Sequence, residues 1–323
     1  MIVTDKFAFM HMHKTGGQSL AHILHACMPD FKQIGYHYPY HLLPREYADL
    51  PVVGMVRNPW DWYISWYAFN TRPEINNPLF FIVSDGFQAD FRRTITNLVN
   101  LPSNLPESRN YRKALIEILP DTLEGNAGVV LTRDCIRSME NLETGYYSWL
   151  FRRMHGDLDS TQLHIGRFEN LQEEFLAIMG ELGVAQRDAM VAEFETGERH
   201  NASRHSHYSK YLDEDLRELI ARKEAGLIER YGYAFEQDDS AEPPIEFAPI
   251  QIGYRRDGFH KLSPDARNFL LLKPQVELEY IKRKLAKIPE RAWYGSGREQ
   301  TYEVHKQTQA LLLIHDDDFR HYN

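Results

Sequence analysis

At 323 residues and 43% hydrophobic, the chain is long enough for one large core or two modest ones. A formal net charge of −9 argues against a nucleic-acid binder or a surface coated for polyanions, and leaves room only for a local basic pocket. Cys27 and Cys135 are too few for a disulfide framework, and no run approaches the ~20 apolar residues of a membrane span, so a soluble cytoplasmic protein with reduced thiols is expected.

In chain order, Phe7 to Met12 is a short apolar run suited to a buried parallel strand. Lys14-Thr15-Gly16-Gly17-Gln18-Ser19 reads as a tight turn, after which Leu20, Ile23, Leu24 and Cys27 recur at helical spacing until Pro29. Strand, glycine turn and helix together can hold phosphate, because turn amides and the positive end of the helix dipole converge on one spot. Lys14 adds a charge there, and Thr15, Gln18 and Ser19 add side-chain donors. The plainer alternative is an ordinary connection with an incidental lysine. Because the lysine precedes the glycines, this is not the G-x-x-x-x-G-K-[ST] loop of nucleotide triphosphatases.

Lys32 to Tyr36 reads as a second strand, and Pro51 to Val56 as a third that ends at Arg57. Asn58 is a good N-cap and Pro59 a good first helical residue. Trp62, Tyr63, Trp66, Tyr67 and Phe69 make the following helix an aromatic surface that is mostly core. From Asn70 to about Gly128 repeated prolines break the pattern into short helices and loops. Glu143 to Met154 predicts a helix, Gln162 to Phe168 a strand, and Glu169 to Leu182 an amphipathic helix with Leu171, Phe175, Ile178 and Met179 inward. Asp213 to Tyr231 predicts a further helix. The fold class expected is α/β, a P-loop-like three-layer domain on a central parallel sheet over residues 1–237. Residues 238–249 are polar, acidic and proline-rich, which marks a linker to a small α+β extension at 250–323 of unknown role. That extension reads either as an appended helix and hairpin that packs on the domain or forms a homodimer contact, or as the beginning of a second module.

Several stretches carry a family resemblance. His11-Met12-His13-Lys14-Thr15-Gly16-Gly17-Gln18-Ser19-Leu20 resembles the 5′-phosphosulfate loop of sulfotransferases, above all the carbohydrate-type branch, where it runs close to P-K-T-G-[GT]-[TS]-S. His13 stands where that branch usually has proline, which touches loop stiffness more than chemistry. Val56 to Tyr67 resembles the 3′-phosphate motif, a strand-end arginine, then Asx-Pro, then a serine on the next helix; Arg57 and Ser65 occupy those places. A strand-end arginine offers phosphate a bidentate fork. The alternative makes Arg57 a structural ion-pair partner and Ser65 a packing residue. Ile165 to Phe175 looks like a strand-to-helix signature of the superfamily, with a structural role and no chemistry for Glu169. Asn201-Ala202-Ser203 resembles the loop that closes over the nucleotide, where Arg199, Arg204 and nearby histidines offer cations.

The resemblance covers roughly residues 1–236 and says little about the acceptor. It implies transfer of a sulfuryl group from 3′-phosphoadenosine 5′-phosphosulfate to a hydroxyl of a saccharide or small metabolite, as in heparan sulfate 2-O-type and bacterial enzymes. Animal members of the branch are Golgi membrane proteins, unlike the cytoplasmic chain expected here. By the same resemblance, Lys14 and the amides of Thr15, Gly16, Gly17, Gln18 and Ser19 hold the 5′-phosphosulfate, and Arg57 with Ser65 holds the 3′-phosphate.

Something must take the acceptor's proton, and histidine suits the task. His37 lies at the end of the second predicted strand, on the rim where α/β sheets bind ligands. Its run G-Y-H-Y-P-Y resembles the strand-end segment of uronyl-type heparan sulfotransferases, where a histidine is the base. His41 and a carboxylate after Asn70 stay open as alternatives. His11 and His13 alternate as a metal pair would, but no further ligands stand at useful spacing, so no metal is expected. Two other classes compete: a small-molecule kinase, weakened by the absence of a clear strand-end aspartate for Mg²⁺, and a non-catalytic nucleotide-binding protein on the same fold.

Overall fold

A five-stranded mixed sheet carries the fold in the computed structural model, which describes residues 1–72, 75, 77–123, 131–139, 142–157, 161–196 and 205–247. The strands are β1 (Ile2–Val3), β2 (Ala8–Phe9), β3 (Lys32–Gln33), β4 (Val52–Val56) and β5 (Leu163–Arg167), in spatial order β3-β1-β2-β4-β5. The sheet is mixed rather than parallel, which corrects the expectation. Only β2, β4 and β5 form parallel pairs, while β1 is antiparallel to both β2 and β3. The reversal is made by a side chain: the Thr4 hydroxyl accepts from the amides of Lys6 (3.1 Å) and Phe7 (3.0 Å), closing a hairpin between β1 and β2. Reversed twice, β3 runs in the same direction as β2, so both end on the edge where β4 and β5 also end.

The described helices are α1 (Gly17–Cys27), α2 (Pro59–Asn70), α3 (Pro78–Val83), α4 (Phe91–Val99), α5 (Pro106–Ile118), α6 (Arg133–Arg137), α7 (Tyr146–His155), α8 (Leu171–Glu181), α9 (Arg187–Thr196), α10 (Glu214–Lys223) and α11 (Ala225–Tyr231). Leu20 and Leu24 of α1, Phe175 and Met179 of α8, and Met190 of α9 cover one sheet face through Phe7, Phe9, Val53 and Met55. Tyr38, Tyr40, Leu43 and Tyr47 lie over Val3, Ala8, Met10 and Val52 on another cluster. The aromatic side chains of α2 other than Phe69 are core, in line with the expectation of a mostly core surface: Trp62 stacks on Tyr147 at 4.4 Å, and both are fully buried. Asn58 caps α2 by accepting from Trp60 N at 3.1 Å, with Pro59 in the first turn. No helix among the described residues is long and apolar enough to cross a membrane, and both cysteines are free thiols.

Several element boundaries depart from expectation, and the strand predicted over Phe7 to Met12 shortens to Ala8–Phe9. The predicted strand from Lys32 to Tyr36 shrinks to two exposed edge residues. The predicted helix from Asp213 to Tyr231 is two helices, broken at Glu224 (φ −105°, ψ 14°), whose fully buried side chain turns away to reach the start of α7. Residues 236–247, which take in the described part of the expected linker at 238–247, lie along the Tyr208–Lys210 turn. Glu236 N donates to Tyr208 Oη (2.8 Å), Asp238 N to Ser209 Oγ (3.0 Å), and Tyr211 Oη to the Ile245 carbonyl (2.9 Å). The Phe247 ring sits 4.8 Å from Tyr67 and 4.7 Å from Tyr211. Phe247→Ala is therefore expected to lower stability by about 1–3 kcal/mol, read as a shift in urea midpoint. An unchanged midpoint would mean that this segment contributes only length. Residues 250–323, with the predicted extension, lie outside the described residues.

Candidate functional site

The carboxyl edge of the sheet gathers the residues singled out from sequence, beginning with the connection from β2 to α1. Lys14 and Gly16 both adopt left-handed backbone there (φ 61° and 76°). A Cβ on Gly16 would meet the Leu171 methyls at 3.0 Å, and one on Gly17 would stand 2.0 Å from the His11 ring. Four successive carbonyls of this loop accept from protein donors. His11 O pairs with His37 Nδ1 (2.6 Å), Met12 O with Thr15 Oγ1 (3.2 Å), His13 O with Trp62 Nε1 (2.9 Å) and Lys14 O with Arg57 Nη1 (3.1 Å). In a trans peptide the carbonyl and the following N–H point opposite ways, and the described chain holds no cis bond. The amides of His13, Lys14 and Thr15 therefore face away from those donors. The Thr15 hydroxyl, expected as a ligand donor, stitches the loop instead.

The start of α1 extends the same surface. Its N-cap is Gly16, no side chain caps it, and its first turn carries no acid. By contrast α2, α4 and α10 are capped by Asn58, Asp90 and Asp213. Among the described residues no side chain caps this helix start, so the positive end of its dipole faces the loop surface. Gln18, exposed in this turn, donates to Tyr36 Oη at 2.9 Å, and Ser19 is half-buried.

Cations converge on this loop in a chain of net charge −9. Lys14 Nζ lies 4.3 Å from the centre of the Phe69 ring, and burial, followed by the nearby Arg57 and Arg72, pulls its pKa down to about 7. Arg57, 8% exposed at the end of β4, rests its guanidinium 4.3 Å from the Phe168 ring at the end of β5. Its Nη1 donates to Ser65 Oγ at 2.9 Å as well as to Lys14 O. Its Nε (2.7 Å) and Nη2 (2.6 Å) both go to Asp61 Oδ2. Tyr147 Oη fixes the Arg57 backbone by accepting from its amide (2.8 Å) and donating to its carbonyl (3.1 Å). Glu169 is structural here, accepting from Asn58 N (2.7 Å) and from Tyr233 Oη (3.0 Å). His205 stands within the field of Asp61, Arg57 and Lys14, and its pKa is lowered chiefly by burial. Arg199, Arg204 and the Asn201–Ser203 stretch lie outside the described residues.

His37 reaches the loop from the turn that follows β3, in left-handed backbone (φ 56°). Its ring stacks on His13 at 3.7 Å and lies 4.2 Å from His11, with Tyr36 at 4.3 Å. A carbonyl can only accept, so the bond to His11 O places a proton on Nδ1 and leaves the Nε2 lone pair as the basic site of the neutral ring. Burial first, then His13 and His11, holds the His37 pKa well below the ordinary histidine value. His41 is exposed beside Arg153. Of the carboxylates after Asn70, Asp85 is held by Arg93 (2.7 Å) and Tyr111 (2.6 Å), and Asp90 caps α4.

No family model, curated protein or solved structure matches this chain. The site is therefore read from its own chemistry: inward-tied carbonyls, an uncapped helix start, Lys14, the Arg57–Ser65 pair and a neutral histidine on one edge. Sequence reasoning missed Asp61, Arg72, Phe168 and Tyr147 as parts of it. Among these Asp61 had a local signal, an acid four residues after an arginine at the start of a helix, and Phe168 lay within the strand-to-helix signature read only as structural.

Proposed function

We propose that this chain is a sulfotransferase of P-loop-like, three-layer α/β type that uses 3′-phosphoadenosine 5′-phosphosulfate and a hydroxyl-bearing saccharide or small metabolite. The observation that carries this reading is the guanidinium of Arg57, whose Nη1 joins the Lys14 carbonyl of the glycine loop to the Ser65 hydroxyl. One arginine thereby couples the loop suited to one anionic group to the pair suited to a second. A nucleotide carrying phosphate at both 5′ and 3′ positions fits that spacing of roles, whereas a single phosphate engages only one of them.

Within this reading Lys14 and the first amides of α1 hold the 5′-phosphosulfate, and Arg57 with Ser65 holds the 3′-phosphate. When bound, the donor supplies an activated sulfuryl group. The residues of the chain orient it, neutralise charge on the departing oxygen at Lys14, and accept the acceptor's proton at His37 Nε2. A Lys14 pKa near 7 makes its ionisation responsive to an arriving anion, which favours the charged form. Metal is assigned no role.

Calorimetry with adenosine 3′,5′-bisphosphate and adenosine 5′-phosphate tests the assignment directly. The bisphosphate is expected to bind far more tightly, and Arg57→Ala to remove most of the difference, a roughly tenfold to hundredfold loss for one charged hydrogen-bonded contact. Equal affinities in the unsubstituted protein would refute the nucleotide class. Transfer of labelled sulfate from the donor to a pool of hydroxyl compounds then separates an enzyme from a nucleotide-binding protein.

A further inference from the structure

We propose that Asp61 is a resident anion in the Arg57 fork, which the 3′-phosphate of the nucleotide displaces, so that its carboxylate sets the affinity for a 3′-phosphorylated ligand. This rests on the function proposed above. Arg57 has five N–H donors. Two from Nη1 go to Lys14 O and Ser65 Oγ, and Nε with one from Nη2 goes to Asp61 Oδ2. Among the described residues these contacts account for four of the five donors. The Phe168 ring lies along the guanidinium at 4.3 Å, and the side chain of Arg57 is only 9% exposed, so the fork is held in place. A bidentate grip on phosphate needs two parallel N–H groups, and the Nε/Nη2 edge that offers them is the edge Asp61 holds.

The consequence is a selection by charge. A neutral 3′-hydroxyl has no means to take a guanidinium from a carboxylate, whereas a phosphomonoester near two negative charges at neutral pH does. Asp61 itself has somewhere to go. Its side chain is 19% exposed, and His205 already lies within its field. The carboxylate thus leaves the Arg57 fork when the competing anion carries more charge, and stays when the nucleotide lacks a 3′-phosphate. A carboxylate that merely propped Arg57 in position would have the opposite effect on binding when removed.

Calorimetry on Asp61→Asn and Asp61→Glu, with both nucleotides, decides the matter. Asp61→Asn is expected to bind the bisphosphate about tenfold more tightly, with adenosine 5′-phosphate changed less than about twofold, and Asp61→Glu to restore the original values. Unchanged or weaker bisphosphate binding by Asp61→Asn would overturn the proposal while leaving the proposed function standing. Equal affinity of the unsubstituted protein for the two nucleotides would overturn both. The NMR signal of the Arg57 Nε–H in the unsubstituted protein gives the same decision without a variant. It is expected to shift on titration with the bisphosphate and to stay fixed with adenosine 5′-phosphate; a signal indifferent to both in a protein that discriminates between them would refute displacement.

Discussion

His37→Asn is expected to lower turnover by about 10²–10⁴-fold while leaving bisphosphate affinity and folding close to those of the unsubstituted protein. Asparagine suits the test for two structural reasons. Its amide nitrogen occupies nearly the place of imidazole Nδ1, so the donor to His11 O (2.6 Å) is kept while the basic Nε2 is lost. Asparagine also tolerates the left-handed backbone at this position (φ 56°) better than most residues. His37→Ala, by contrast, leaves the His11 carbonyl without its donor and His13 without its stacking partner, at about 1–3 kcal/mol of stability. A His37→Asn protein with near-normal turnover would move the role to His41 or to a carboxylate. Asp85 would be a poor heir, since Arg93 and Tyr111 already hold both its oxygens.

The same substitution has a pH signature. Burial holds the pKa of His11 down to about 3 and that of His155 down to about 4, and places His37 well below its ordinary range. All three are neutral when folded and take up protons on unfolding near pH ~6.5. Their contribution to stability is therefore full above that pH and is lost as pH falls toward the folded-state values, by up to ~1.4 kcal/mol per pH unit for each ring. Urea midpoints from pH 7 to pH 5 should fall steeply, and less steeply in His37→Asn.

What could be read from sequence was what local pattern encodes. Leu20, Ile23 and Leu24 share a buried face because their spacing matches a helical turn. Asn58-Pro59 starts α2 because a cap and a fixed φ act within one turn. The Lys14 carbonyl and the Ser65 hydroxyl share Arg57 Nη1, a proximity that follows from each residue standing at the end of a strand or on the helix that follows. Features resting on long-range contacts left no such trace. β1 is two residues long, too short for any period to show, and its reversal depends on the Thr4 hydroxyl rather than on a glycine or proline. Phe69 reads as one more core aromatic, yet the Lys14 ammonium lies over its ring. The stack of His37 on His13 joins residues from two separate strand ends, which spacing alone does not bring together.

Glu224 is the strongest case of a residue silent in the sequence, and its removal should be the largest single blow to stability. In a helix rich in exposed acids it looks like any other, yet it is fully buried at the break between α10 and α11. Its Oε1 accepts from Tyr63 Oη (2.5 Å) and Tyr147 N (3.2 Å), and its Oε2 from Ser148 N (2.8 Å) and Ser148 Oγ (2.5 Å). Four donors and no acceptor is the surrounding that an ionised carboxylate requires. Burial raises its pKa while these donors pull the other way. The negative charge also meets the positive end of the α7 dipole. Glu224→Ala is expected to cost about 3–5 kcal/mol, because it strands several buried donors at once. Glu224→Gln keeps the shape but turns an amide NH₂ toward groups that donate, and should cost about 1–3 kcal/mol. The damage should not stop at stability. Tyr147, whose amide Glu224 holds, is the residue whose hydroxyl fixes the Arg57 backbone through bonds of 2.8 and 3.1 Å. Urea unfolding of both variants, with bisphosphate calorimetry on the glutamine form, measures the two effects separately. A loss below about 1 kcal/mol in Glu224→Ala would mean that this carboxylate is not the ionised centre of the network.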